Sequence, residues 1–154
     1  MPSGIGSVSK EFVLGTAQYY NWFQVGAAIK HPDNGKIFDL SEQITKEFGI
    51  PDPQVLIRSN DGYGTPELLR EILGSQPIDA ILHFTDPRFW QWLYQMEHEV
   101  RQTTPILFYA IWDNIPYPHY NSGYYESCDW IGGISKQTVN IVKNVLPENS
   151  WEEY

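Results

Sequence analysis

Residues 54–73, QVLIRSNDGYGTPELLREIL, decide the fold class. Gln54–Ser59 is a short apolar run suited to a strand, and Asn60–Gly64 breaks it with turn residues. Thr65–Leu73 then carries helical spacing, with Thr65 at the cap and Pro66 in the first turn. The same strand, turn and helix recur downstream. Asp79–Phe84 is a strand, Thr85–Arg88 a turn, and Phe89–Gln102 an amphipathic helix with Trp90, Leu93, Tyr94, Glu97 and Arg101 at three- and four-residue steps. Pro105–Trp112 is the most apolar strand, followed by a Pro- and Tyr-rich loop from Asp113 to Gly123. Tyr124–Cys128 adds a helical turn, Asp129–Ile134 a last short strand, and Ser135–Leu146 a capped helix stopped at Pro147.

Upstream, the glycine-rich SGIGS (Ser3–Ser7) opens a helix carrying Val8, Phe12, Val13, Leu14 and Ala17, with Ser7 or Ser9 as its cap. Trp22–Ile29 reads as a buried strand halted by HPDNG, and residues 36–50 leave room for a short capped helix ending at Gly49. Strands alternating with helices of roughly 10–15 residues imply parallel pairing. The expectation is therefore an α/β, Rossmann-like parallel sheet with helices on both faces over residues 1–146, and a linker or tail over residues 147–154. A glycine loop in such a fold follows a first strand, yet only Met1 and Pro2 precede Ser3, so the first strand reads as trimmed.

Ten Lys and Arg against 19 Asp and Glu give a net charge of −9, which lacks the basic footprint of a nucleic-acid binder. A single cysteine, Cys128, excludes an internal disulfide framework, and the four histidines have no metal-ligand spacing, so no metal site is expected. No apolar run approaches the roughly 20 residues of a membrane span, and the amino terminus lacks signal-peptide character. The expected compartment is the cytoplasm. Six Trp and ten Tyr supply rings with polar tips, which suit carbohydrate or partner surfaces as well as ordinary cores.

Ligands of open α/β sheets bind beyond the carboxyl ends of the strands, and that rule selects the loops. Gly4 and Gly6 would let a helix N-terminus approach a phosphate, or form a plain loop-to-helix turn. Thr85, Asp86 and Arg88 gather a hydroxyl, a carboxylate and a guanidinium after one strand, and Asp86 followed by Pro87 serves equally well as a helix cap. His83, inside that strand, fits a core imidazole better than a base. Asp113 and Asn114 end the most apolar strand. His119 and Tyr120 stand in a loop with Tyr117, Tyr124 and Tyr125, whose polar tips fit sugar hydroxyls or simply cover the domain.

Taken in order, the glycine loop opening the first helix, LHFTDP (Leu82–Pro87), FYAIWDN (Phe108–Asn114) and YYESCDWIGGISKQT (Tyr124–Thr138) resemble the N-terminal, acceptor-side domain of a GT-B retaining glycosyltransferase of the large group 1 family. The resemblance spans Ser3 to about Leu146. It implies transfer of a sugar from a nucleotide-sugar donor to a glycan or other acceptor hydroxyl, with no separate cofactor. By the same resemblance Gly4 and Gly6 lie under the donor diphosphate, Asp86, Thr85 and Asp113 stand at the catalytic positions, and Asn114, His119 and Tyr120 bind acceptor. Many relatives read H-x-H-(D/E)-P where this chain has His83-Phe84-Thr85-Asp86-Pro87, so a hydroxyl stands where they carry a second histidine, and a hydroxyl is no base near neutral pH. The family's donor-binding C-terminal domain has no counterpart after Leu146. The resemblance thus implies half an active site, inactive alone, with self-association through the surfaces left uncovered. The alternative is a stand-alone, non-catalytic Rossmann-like module that binds a sugar or partner. A nicotinamide-dependent oxidoreductase is disfavoured, since GxGxxG is absent and His31 follows Lys30 where an acidic residue would end the second strand.

Overall fold

The computed structural model describes residues 4–28, 32–147 and 150. It is a mixed α/β chain, with seven α-helices and two three-stranded sheets among the described residues. The chain divides into two compact units, Met1–Gly64 and Thr65–Tyr154. One sheet lies in each, so the continuous sheet expected from the sequence is replaced by two.

The first unit contains α1 (Gly4–Thr16), β1 (Trp22–Ala28), β2 (Ile37–Asp39), α2 (Ser41–Phe48) and β3 (Val55–Asp61). β3 is central. It pairs in parallel with β1, Trp22 opposite Val55, and antiparallel with β2, Phe38 opposite Ile57. The sheet is therefore mixed rather than wholly parallel. The expected buried strand at Trp22 is an edge strand, flanked among the described residues by β3 alone, and its described side chains are half-buried or exposed. α2 ends where expected, at Gly49 with φ 68°, a left-handed C-cap that glycine adopts without a Cβ penalty. Val13, Ala17, Ile44 and Val55 form the core of this unit.

The second unit follows the sequence closely. α3 (Pro66–Ser75) is capped by Thr65, whose hydroxyl accepts from the Leu68 amide at 3.2 Å, with Pro66 at the first position. β4 (Ile81–His83), β5 (Ile106–Ala110) and β6 (Trp130–Gly133) form an all-parallel sheet with β5 in the middle. On β5 the alternate residues Ile106, Phe108 and Ala110 are buried, the period-2 pattern of a strand. The single helix expected over Phe89–Gln102 is instead a 3₁₀ turn, Pro87–Trp90, then α4 (Gln91–Gln95) and α5 (Glu97–Val100). The break falls at Met96, with φ −104° and ψ 14°, where the side chain drops into the core beside Leu69, Leu93, Val100 and Ile106. A second 3₁₀ turn, His119–Asn121, leads into α6 (Ser122–Glu126). α7 (Lys136–Val145) begins at Ser135, which accepts from the Thr138 amide at 3.1 Å. It lays Ile141, Val142 and Val145 against Phe108, Ala110 and Tyr125. Gly133 permits the close approach of β6 and α7, since a Cβ there would lie 2.9 Å from the Val139 amide nitrogen.

No helix of the described residues is long and apolar enough to cross a membrane, and no three His, Cys, Asp or Glu side chains among them gather as metal ligands would.

Candidate functional site

Beyond the carboxyl ends of β4 and β5 lies a cavity of about 250 Å³. Three chain segments wall it: Thr85, Asp86 and Pro87 after β4; Ala110 to Asn114 at and beyond the end of β5; and Asn121 and Tyr125 from the helical turn that follows, with Phe108 behind them. Of the residues singled out from the sequence, Thr85, Asp86, Asp113 and Asn114 therefore meet at one place.

Asp86 both caps a turn and pairs with Arg88. Its Oδ1 accepts from the Arg88 amide at 3.0 Å, capping the 3₁₀ turn that Pro87 starts. Its two oxygens also accept from Arg88 Nε at 3.0 and 3.1 Å and from Nη2 at 2.5 Å. These bonds hold the Asp86 carboxyl below its ordinary range against the opposing pull of partial burial. So tethered, the Arg88 guanidinium stands over the Trp112 ring, 5.5 Å from its centre, and 6.0 Å from that of Tyr120. Trp112 is fixed in turn by its indole N–H, which donates to the Asn114 carbonyl at 2.9 Å.

Asp113 is exposed, and its carboxylate engages no other described group, while its backbone carbonyl accepts from Gln137 Nε2 of α7 at 2.8 Å. The backbone is thereby pinned and the carboxylate left open. The Asn114 Oδ1 accepts from the Ile115 amide at 2.9 Å, so this side chain is partly committed to its own loop. Tyr120 packs edge-on to Trp112 at 6.0 Å, and His119 lies edge-on to Tyr117 at 6.3 Å. Both stand in the 3₁₀ turn His119–Asn121, and neither lines the cavity.

His83 is the core imidazole that its place in a strand suggests. Its ring stacks on Phe108 at 5.1 Å and shares Nδ1 with the Tyr94 hydroxyl at 2.6 Å. Burial depresses its pKa to about 3, a pull that the Asp86 charge only partly opposes, so the ring is neutral at ordinary pH.

Gly4 and Gly6 belong to the first unit and lie within the first turn of α1 rather than in a loop before it. Ser7 and Ser9 are consequently inside the helix and cap nothing, while residues 1–3 fall outside the described residues.

Asn121 escaped the sequence reading. It is fully buried and lines the cavity, and neither its Oδ1 nor its Nδ2 makes a hydrogen bond of full geometry among the described residues, although the amide lies beside the Tyr125 hydroxyl. It stands near enough to the Tyr125 hydroxyl to favour that group's ionised form, though burial outweighs it and raises the Tyr125 pKa. An Asn just before a Ser-Gly pair reads locally as a turn or cap residue, and nothing in the sequence signals its burial.

Comparison with known proteins finds no matching family model, no matching curated protein and no matching solved structure.

Proposed function

We propose that the Thr65–Tyr154 unit binds a sugar in the cavity beyond β4 and β5, as the acceptor-side part of a glycosyltransferase that draws on a nucleotide-sugar donor. The observation that carries this reading is the meeting of Thr85, Asp86, Asp113 and Asn114 with the Trp112 ring around one cavity at the carboxyl edge of a parallel sheet. A sugar ring presents apolar C–H faces and a rim of hydroxyls, which calls for aromatic surface beside carboxylates, amides and hydroxyls. In a Rossmann-like arrangement this edge is also where ligands sit.

The roles divide by what each group is free to do. Asp113, pinned through its backbone and open at its carboxylate, accepts a hydrogen bond from the acceptor hydroxyl and orients it. Thr85 donates to a sugar oxygen. Asp86, already committed to Arg88, positions that cation beside the cavity, where it favours an anionic leaving group. Gly4 and Gly6 remain the proposed diphosphate contacts, on the family resemblance alone.

A non-catalytic sugar-binding module is the second reading, favoured by Thr85 standing where a base would and by Asp86 being tied to Arg88. A glycan array probed with the full chain tests the sugar site that both readings share, and incubation of the bound glycans with a panel of nucleotide sugars then tests for transfer. Binding that Asp113→Ala or Trp112→Ala abolishes supports the site. Sugar incorporation supports transfer, whereas binding without incorporation is the outcome expected both of an acceptor-side half-site acting alone and of the module. Absence of binding to every glycan refutes both.

A further inference from the structure

Of the edge strands among the described residues, β2 (Ile37–Asp39), β4 (Ile81–His83) and β6 (Trp130–Gly133) are short. Shortness, charge and proline are the usual means of keeping a sheet edge from pairing with another chain. β1 (Trp22–Ala28) has none of them. It runs in unbroken register against β3 and contains no charged residue and no proline. The Trp22 amide donates to the Gln54 carbonyl, on the β3 side, at 2.7 Å. Alternate residues of a strand turn their N–H and C=O groups to opposite sides, so Phe23, Val25 and Ala27 turn theirs to the other edge, where no described strand pairs. The helix packed on this strand carries a second signal. Ile5, Val8 and Phe12 recur at helical spacing on α1 and are each 38–40% exposed, and Phe12 meets Trp22 edge-on at 5.8 Å. Exposed apolar surface thus continues from the edge strand onto the helix.

We infer that the β1 edge is a self-association surface and that its occupant is β1 of a second copy, running antiparallel, with the twofold axis at Val25. In that register Val25 faces its own copy and Phe23 faces Ala27. Every residue whose backbone groups point to the edge meets another such residue, and each facing pair exchanges both of its N–H···O bonds. A large ring falls opposite a small side chain rather than against another ring. No like charges come face to face along the strands, although each chain carries a net charge of −9. The contact is isologous and uses the edge once on each copy, so it closes at a dimer. The twofold keeps both α1 helices on one face of the joined sheet, where their exposed stripes flank the seam.

The test is sedimentation equilibrium of the full chain across the micromolar range, with amide hydrogen exchange read at both ends of that range. The mass should rise to twice that of the chain and no further. The Phe23, Val25 and Ala27 amides should exchange more slowly in the concentrated sample, while those of β2 keep their rates. Val25→Lys sets two ammonium groups opposite each other, and Ala27→Pro removes an edge-directed N–H at an exposed position without touching a bond to β3. Each should weaken the dimer at least about tenfold, and Ile37→Lys on the β2 edge should leave it unchanged. A chain that stays monomeric, assembly past the dimer, or a dimer that both edge variants keep at full strength in folded form overturns the inference. Edge amides that exchange alike at both concentrations overturn it too. If neither edge variant folds, mass and exchange measured on the unaltered chain decide. The sugar-binding reading stands or falls separately, since no residue of β1 lines the cavity.

Discussion

Lowering the pH from 7.5 to 5 should destabilise the second unit through His83. The group is a base with a depressed pKa in the fold, about 3, against about 6.5 in the unfolded chain. The unfolded chain therefore takes up a proton that the folded one refuses. The stability His83 contributes is fully present above pH 6.5 and is lost as pH falls from there toward 3. Each pH unit inside that window is worth about 1.4 kcal/mol, so pH 5 removes about 2 kcal/mol. For a chain of this length that lowers Tm by roughly 4–8 °C. The carboxylates whose folded pKa values are lowered, Asp86 and Glu99 among them, lose their contribution only as pH falls below the ordinary carboxylate range, so they leave pH 5–7.5 undisturbed. The assay is thermal unfolding followed by circular dichroism at closely spaced pH values. The control is the double variant His83→Phe with Tyr94→Phe, which keeps a ring against Phe108 and leaves no tyrosine hydroxyl without its partner. It should lose at least half of the pH dependence. An unaltered chain equally stable at pH 7.5 and 5, or a double variant that keeps the whole drop, would refute the assignment.

Asp86→Ala removes both a cap and a partly exposed ion pair, for about 1 kcal/mol and at most about 0.5 kcal/mol, whereas Asp86→Asn keeps the capping acceptor and should cost less than about 0.5 kcal/mol; urea unfolding distinguishes them. Gly133→Ala forces a Cβ to 2.7 Å from Val139 Cγ2 and 2.9 Å from the Val139 backbone nitrogen, and should cost about 1–3 kcal/mol by overpacking. Gly123→Ala, inside α6 with nothing within 4 Å, should instead be neutral or gain up to about 1 kcal/mol in the same measurement.

What could be read from the sequence was local. Thr65 and Pro66, Asp86 and Pro87, and Ser135 announce their caps because a cap is made by residues three apart or fewer. β5 is legible because it is apolar and the middle strand of its sheet. Failures came where distant partners decide. The helical spacing of residues 89–102 runs straight through Met96, and only the core beneath it explains the break. β2 is three residues long and exists because Phe38 finds Ile57 across the sheet. The division into two sheets follows from which strands pair, a choice that no window of sequence contains. At the site, the loop residues Thr85, Asp86, Asp113 and Asn114 were found by the rule that places ligands at strand ends. Asn121 was missed because burial, not residue type, makes it notable.

The most direct test is where a sugar touches the chain. In ¹H–¹⁵N spectra of the full chain titrated with the glycoside that binds best, the amides of Thr85, Arg88, Trp112 and Asn114 and the Trp112 indole N–H should shift together with one dissociation constant, while those of Gly4–Thr16 stay in place. Shifts confined to α1, or scattered without a common midpoint, would contradict a sugar site beyond β4 and β5.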